Sequence, residues 1–171
     1  TLDRKMGMVF DAVKDNGLED NTVIICTTDH CIAFPDMKCT LHDTGTGVML
    51  IMKGPDQLSG GKVIDGMVSH IDVYPTICEY LGIEKPSWLQ GVSFMPLLTG
   101  EKEEVREEIY SEVNYHSTYE PMRSVRTKRW KYIKRYYLPD GPALSNFAIG
   151  ASKDLWLECG WKTHAPEEEV L

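Results

Sequence analysis

The sequence predicts an α/β fold followed by a small antiparallel β region, and three observations carry that expectation. Leu2, Met6, Val9, Phe10 and Val13 recur at helical spacing. The run Val23-Ile24-Ile25-Cys26-Thr27 is too short for a helix and reads as a strand buried on both faces, as in a parallel sheet. Residues 108–137 then alternate strand-forming runs with turns.

Taken in order, the first helix closes at Gly17, whose backbone freedom suits a C-terminal cap, and its Met6, Met8 and Phe10 are expected in the core. Helix, tight loop and strand form the second half of a βαβ crossover. Residues 29–47, with Pro35 among them, make a loop long enough to be functional rather than a mere connection. Strands are expected at 48–52 and 63–68, separated by the turn residues Lys53-Gly54-Pro55-Asp56 and a surface turn at 58–62. A helix follows within 69–81 and presents Ile71, Tyr74, Ile77, Cys78 and Leu81 on one face. Pro75 fits only its first turn, which puts the start between Ile71 and Tyr74 and makes Asp72 the cap.

The charged stretch 101–108 divides the chain into regions 1–100 and 101–171. In the second region strands are expected at 108–113, 122–126 and 130–137, the last two joined as an antiparallel hairpin across Thr127-Lys128-Arg129. Pro139-Asp140-Gly141-Pro142 is a breaker, 151–158 a short helix capped by Ser152, and the polar tail from Lys162 is expected to fray. There is no internal repeat or low-complexity segment in the sequence.

A chain of 171 residues can bury one substantial core, or one core and a small appendage. Its net charge of −8 argues against a nucleic-acid partner, whose phosphates demand a basic face. Basic residues do concentrate between Arg123 and Arg135, interleaved with aromatics. That run either grips a polyanion such as a sulfated glycan or forms a strand with one solvated face, the commoner meaning of a charge run. Five cysteines form an odd set without a Cys-x-x-Cys pair, Cys26 and Cys78 sit in core-type runs, and no disulfide framework is expected. No signal peptide and no membrane-spanning segment is visible, so the compartment stays open.

The chemistry-bearing residues gather where the first strand ends, the place at which open α/β sheets hold ligands. Asp29 and His30 can hold a metal ion there, and Lys38 can neutralise an anionic group that meets the metal. An Asp at a strand end also caps neighbouring helices, so the pair alone does not decide. His70, just ahead of the second helix, reads as structural; His116, in Asn114-Tyr115-His116-Ser117, either lines a pocket or is an ordinary loop histidine.

Thr28-Asp29-His30, the spacer to Lys38-Cys39-Thr40-Leu41, then Gly45, Val48, Leu50-Ile51 and Lys53-Gly54-Pro55 resemble the second half of the sulfatases. The resemblance continues through Val68-Ser69-His70-Ile71-Asp72-Val73-Tyr74-Pro75-Thr76, Leu81-Gly82-Ile83, Gly91-Val92-Ser93 and Pro96-Leu97-Leu98-Thr99-Gly100-Glu101. Pro121-Met122-Arg123-Ser124-Val125 and Ser152-Lys153-Asp154-Leu155 are similar to the heparan N-sulfatase-like branch.

The resemblance implies the C-terminal portion of an alkaline-phosphatase-like mixed sheet with helices, plus a small antiparallel subdomain. It makes Asp29 and His30 ligands of a divalent cation, usually calcium, although an imidazole ligand leaves magnesium, manganese and zinc open. It gives Lys38 the sulfate oxygens and His116 a place near the substrate, a sulfated carbohydrate or other small sulfated compound. The family's nucleophile is a formylglycine made from the cysteine of Cys-x-Pro-Ser-Arg, and none of the five cysteines here stands in that pattern. The chain is therefore expected to be a C-terminal portion, inactive alone and prone to self-association through uncovered sheet edges. Two other readings stand beside this one: a phosphoesterase of the same superfamily, and a non-catalytic polyanion-binding module. Departures from the family pattern are Cys31 for Gly, His42 for Tyr and Met49 for Pro, the first of which either strains a positive-φ position or relaxes the turn.

Overall fold

In chain order the elements are α1 (Leu2–Asp15), β1 (Ile24–Thr27), α2 (Asp43–Thr46), β2 (Leu50–Lys53), α3 (Val73–Tyr80), α4 (Met95–Thr99), β3 (Glu108–Tyr115), β4 (Tyr119–Thr127), β5 (Lys131–Arg135) and α5 (Ala151–Glu158). The computed structural model describes residues 1–137, 146 and 148–159. They fall into two compact units, Thr1–Thr27 with Met49–Glu107, and Thr28–Val48 with the described residues from Glu108 on. The mixture of helices with small antiparallel sheets is the α/β character expected. The expectations for 139–142 and for the tail from Lys162 lie outside the described residues.

In the first unit α1 ends as its sequence predicts. Gly17 takes φ +65, its N–H donates to the Lys14 carbonyl and the Leu18 N–H to the Val13 carbonyl, the paired bonds of a left-handed helix stop. The expected burial of its methionines and Phe10 does not occur: every residue of α1 is at least partly exposed. An amphipathic stripe shows which face seeks cover but not what supplies it. β1 likewise departs from its expected setting. It is half-buried and pairs antiparallel with β2, from Ile24↔Lys53 to Thr27↔Leu50. An apolar run identifies a strand without encoding the direction of its partner. β2 itself runs from Leu50 to Lys53 rather than from Val48.

The strand expected at 63–68 is absent; among the described residues that stretch pairs with no strand. It is held instead by side-chain bonds, Lys62 Nζ to the Leu98 carbonyl (2.9 Å) and the Met67 N–H to Glu104 (3.3 Å). A single turn at His70–Asp72 leads into α3 through a capping box in which Asp72 accepts the Ser69 N–H. Asp72 stands at the helix start as expected, but its side chain closes the box from the third position, with Ser69 as the cap, rather than capping α3 itself; His70 is bonded to Thr27, Nε2 to Oγ1, at 2.8 Å. The buried face of α3 is Pro75, Thr76 and Cys78, whereas Ile71, Tyr74 and Leu81 are about half exposed. The stripe is rotated because Thr76 is taken inward to donate to the Asp72 carbonyl and accept the Phe94 N–H. Gly91 is required beside it, since a Cβ there would lie 2.0 Å from the Ile71 carbonyl oxygen. Leu58, Cys78, Phe94, Met95 and Leu97 complete this core. A cleft of about 720 Å³ between the β1–β2 pair and α3 is lined mainly by apolar groups such as Val23, Ile25, Met52 and Ile77.

The second unit is built on the antiparallel sheet β3–β4–β5. Its three strands and the hairpin into β5 follow the expected pattern, closed by the Thr127 N–H on the Trp130 carbonyl. Period-two alternation turns Met122 and Ser124 inward and leaves Tyr110 and Tyr132, on either side of Val125, exposed. α5 has the expected span, but Gly150 is its N-cap and Ser152 lies inside the helix without capping it. Among the described residues the cysteines form no disulfide.

Candidate functional site

The loop Thr28–Val48 belongs to the second unit and carries Asp29, His30 and Lys38. Asp29 and His30 are brought together: the His30 N–H donates to Asp29 Oδ1 (3.1 Å), and His30 Nε2 lies 3.5 Å from Asp29 Oδ2. His30 Nδ1 donates to the Cys31 carbonyl, so in a neutral imidazole Nε2 is the nitrogen that carries the lone pair a cation would need. Two ligands at right angles on a cation with bonds of ~2.4 Å sit about 3.4 Å apart, so this spacing suits a shared divalent ion. The Asp29 side chain is 89% exposed and open to such an ion. The pair fits as part of a coordination sphere only, because no cluster of three or more His, Cys, Asp or Glu forms among the described residues.

Cys31, where glycine was expected, avoids positive φ and donates its thiol to the Gly47 carbonyl, joining the two ends of the loop. The turn has relaxed rather than strained. Strain appears instead on either side of Met37-Lys38, where Asp36 at φ +58 and Cys39 at φ +65 are left-handed. A non-glycine residue in that region costs about 1–3 kcal/mol and persists only where its surroundings over-determine it. They do here: the Thr40 N–H and hydroxyl both donate to the Met37 carbonyl and the Thr44 hydroxyl to the Asp36 carbonyl. Gly45 of α2 closes against this turn so tightly that a Cβ would lie 2.4 Å from the carbonyl oxygens of Met37 and Thr40. Lys38 is half-buried and, among the described residues, forms no ion pair with Asp29 or any other acid. Its charge acts on the Cys39 thiol, which burial raises, Lys38 lowers and Glu120 raises again.

Two networks were not legible from residue types. Asp43, the first residue of α2, receives Lys131 Nζ at 3.0 Å and Arg126 Nε at 3.3 Å, so the hairpin β4–β5 clamps the loop. Burial pushes the Asp43 carboxyl up, yet the Lys131 hydrogen bond and the charges of Lys131, Arg126 and His42 carry it below its ordinary 3.8. A depressed carboxyl contributes stability above its unfolded pKa and loses it as pH falls through the folded one. Asp43→Asn is therefore expected to be less stable than wild type at pH 7, with the gap between urea midpoints closing below pH 3.8. A gap that stays constant down to pH 2 would refute the clamp.

The second network surrounds His116. Its Nδ1 is 3.1 Å from both Ser117 Oγ and Asn146 Oδ1, Asn146 Nδ2 donates to Glu120 (3.4 Å), and Arg135 donates to the same carboxylate (3.3 Å). Burial raises the Glu120 carboxyl, and Arg135 pulls it back. Four of the basic run's cations are ion-paired: Arg123 meets Glu112 (3.0 Å), Arg126 and Lys131 share Asp43, and Arg135 meets Glu120, while Arg129 lies over Trp130 at 4.9 Å. That favours the strand reading over a polyanion grip. The His42 side chain makes a long contact with Asp36, 3.9 Å, and its charge bears on Asp43.

The family described as N-sulphoglucosamine sulphohydrolase, C-terminal, matches residues 34–147. An ulvan-active sulfatase of Formosa agariphila is 29% identical over 145 residues, 81% of this chain and 24% of that protein. A second ulvan-active sulfatase of the same organism is 32% identical over 126 residues, 71% of this chain and 25% of that one. The N-sulphoglucosamine sulphohydrolase of Homo sapiens is 29% identical over 145 residues, 77% and 28% of the two chains. The chain thus spans about a quarter of the length of these relatives.

Proposed function

The chain belongs to the N-sulphoglucosamine sulphohydrolase C-terminal family, and from that premise we propose that it supplies part of the active site of a sulfatase acting on a sulfated sugar. The observation that carries the reading is the 3.5 Å approach of His30 Nε2 to Asp29 Oδ2, with both atoms left open by the bonds their neighbours make. In this reading Asp29 and His30 hold a divalent cation, calcium by family habit, whose chemistry is to polarise the sulfate oxygens and lower the charge that builds on them. Lys38 binds the same sulfate from the strained turn, and His116 meets the sugar. The formylglycine nucleophile and the remaining ligands belong to the complete protein.

The test is metal retention by the complete protein. Asp29→Ala is expected to weaken calcium binding at least tenfold, measured by calorimetry on chelator-treated protein, with sulfate release from glucosamine N-sulfate falling alongside. Unchanged calcium affinity would overturn the ligand assignment, and absence of sulfate release by the wild-type protein from any sulfated sugar would overturn the reaction class.

A further inference from the structure

We propose that Glu120 and Asn146 are positioning residues that hold His116 with its Nε2 bare, making it the acceptor for a hydroxyl of the sugar. The proposal rests on the sulfated-sugar reading above. A carboxylate only accepts, so the buried Glu120, with Arg135 Nη1 on Oε1 at 3.3 Å, turns the amide nitrogen Nδ2 of Asn146 toward its Oε2. The amide oxygen then faces the other way, where it accepts the Ser117 N–H at 3.2 Å and stands 3.1 Å from His116 Nδ1. Two acceptors do not attract, so Nδ1 carries the proton, and the Ser117 hydroxyl oxygen, also 3.1 Å away, shares it as a second acceptor. In a neutral imidazole that leaves Nε2 as a lone pair, and His116 is exposed.

The chemistry of that lone pair selects its partner. It repels the oxygens of a sulfate, which only accept, and suits an O–H donor, so the sulfate goes to Lys38 and the hydroxyl to His116. Lys38 and His116 belong to the same compact unit, in which the Cys39 thiol feels the charges of both Lys38 and Glu120. His116 is therefore a specificity group for the sugar rather than for the sulfate, and the chain Arg135, Glu120, Asn146 sets its tautomer.

The experiment compares glucosamine N-sulfate with 4-nitrophenyl sulfate, which has no hydroxyl, in the complete protein. His116→Ala is expected to lower the sugar-over-aryl preference in kcat/KM about tenfold, the worth of one hydrogen bond in a binding site. Asn146→Ala and Glu120→Gln are expected to lower it by roughly threefold, and His116→Gln, which keeps an acceptor, to recover part of it. An unchanged preference overturns the proposal. Nitrogen NMR of protein labelled in histidine supplies a readout that needs no turnover. Wild type should show protonated Nδ1 and bare Nε2, with the pattern lost in Asn146→Ala; an Nε2–H tautomer in wild type overturns the proposal. If neither sulfate is hydrolysed, titration with glucosamine N-sulfate still decides: a shift at His116 Nε2 sustains the hydroxyl contact, and none refutes it.

Discussion

Arg106→Ala is expected to destabilise the protein by about 3–5 kcal/mol, the loss found when one partner of a buried ion pair is removed and the other is left behind. Asp72 is fully buried, and its carboxylate accepts the Ser69 N–H at 2.8 Å, the Val92 N–H at 2.7 Å and two guanidinium donors of Arg106, Nε at 2.7 Å among them. The hydrogen bond to Asp72 raises the Arg106 pKa further, so the guanidinium stays charged throughout the working range. Removing it leaves a dry negative charge with two amide donors, at the point where the entry to α3, the segment around Val92 and the chain before β3 are tied together. Arg106→Lys keeps the charge but not the planar fork and should fall between wild type and alanine. Urea unfolding measures all three. A loss below about 1 kcal/mol for the alanine variant would mean that desolvation already offsets the pair.

Asp72 also marks the limit of what the sequence carries. That it starts a helix follows from Ser69, Pro75 and the apolar run after it, because capping is decided within a few residues. That Arg106 completes it does not, since the partner lies 34 residues on and nothing local selects it. The same division runs through the fold. The strands around Tyr110, Met122 and Ile133 and the Gly17 stop were legible, being matters of alternation and of a backbone angle. The direction of β1, the exposure of Met8 and Phe10 and the false strand at 63–68 were not, because each depends on what lies opposite. In the candidate site, Asp29 and His30 could be paired on sight as neighbours in the chain, whereas the Asp43 clamp and the Glu120–Asn146–His116 relay join residues 26 to 88 positions apart. Glu120 offered one signal, an acid beside Pro121 just ahead of the strand expected at 122–126, and Asn146 offered none.

Lys38→Ala is expected to lower kcat/KM of the complete protein for a sulfated sugar about 100- to 1,000-fold, the usual cost of removing one preorganised donor from a developing oxyanion. Sulfate is already charged in the ground state, so part of the loss should appear in KM. The share in kcat reports how much more charge Lys38 meets in the transition state. Preorganisation is what the turn supplies. Left-handed Asp36 and Cys39 bracket Lys38, the carbonyls of Asp36 and Met37 are tied to Thr40 and Thr44, and Gly45 leaves the turn no room to relax. Cys39→Gly should release strain at φ +65 and stabilise the fold while loosening the lysine, so a variant that gains in urea midpoint yet loses in kcat would tie the backbone angle to the chemistry. Lys38→Ala with an unaltered midpoint and activity within threefold of wild type would remove the lysine from the site, and with it the reason for holding a cysteine in a conformation better suited to glycine.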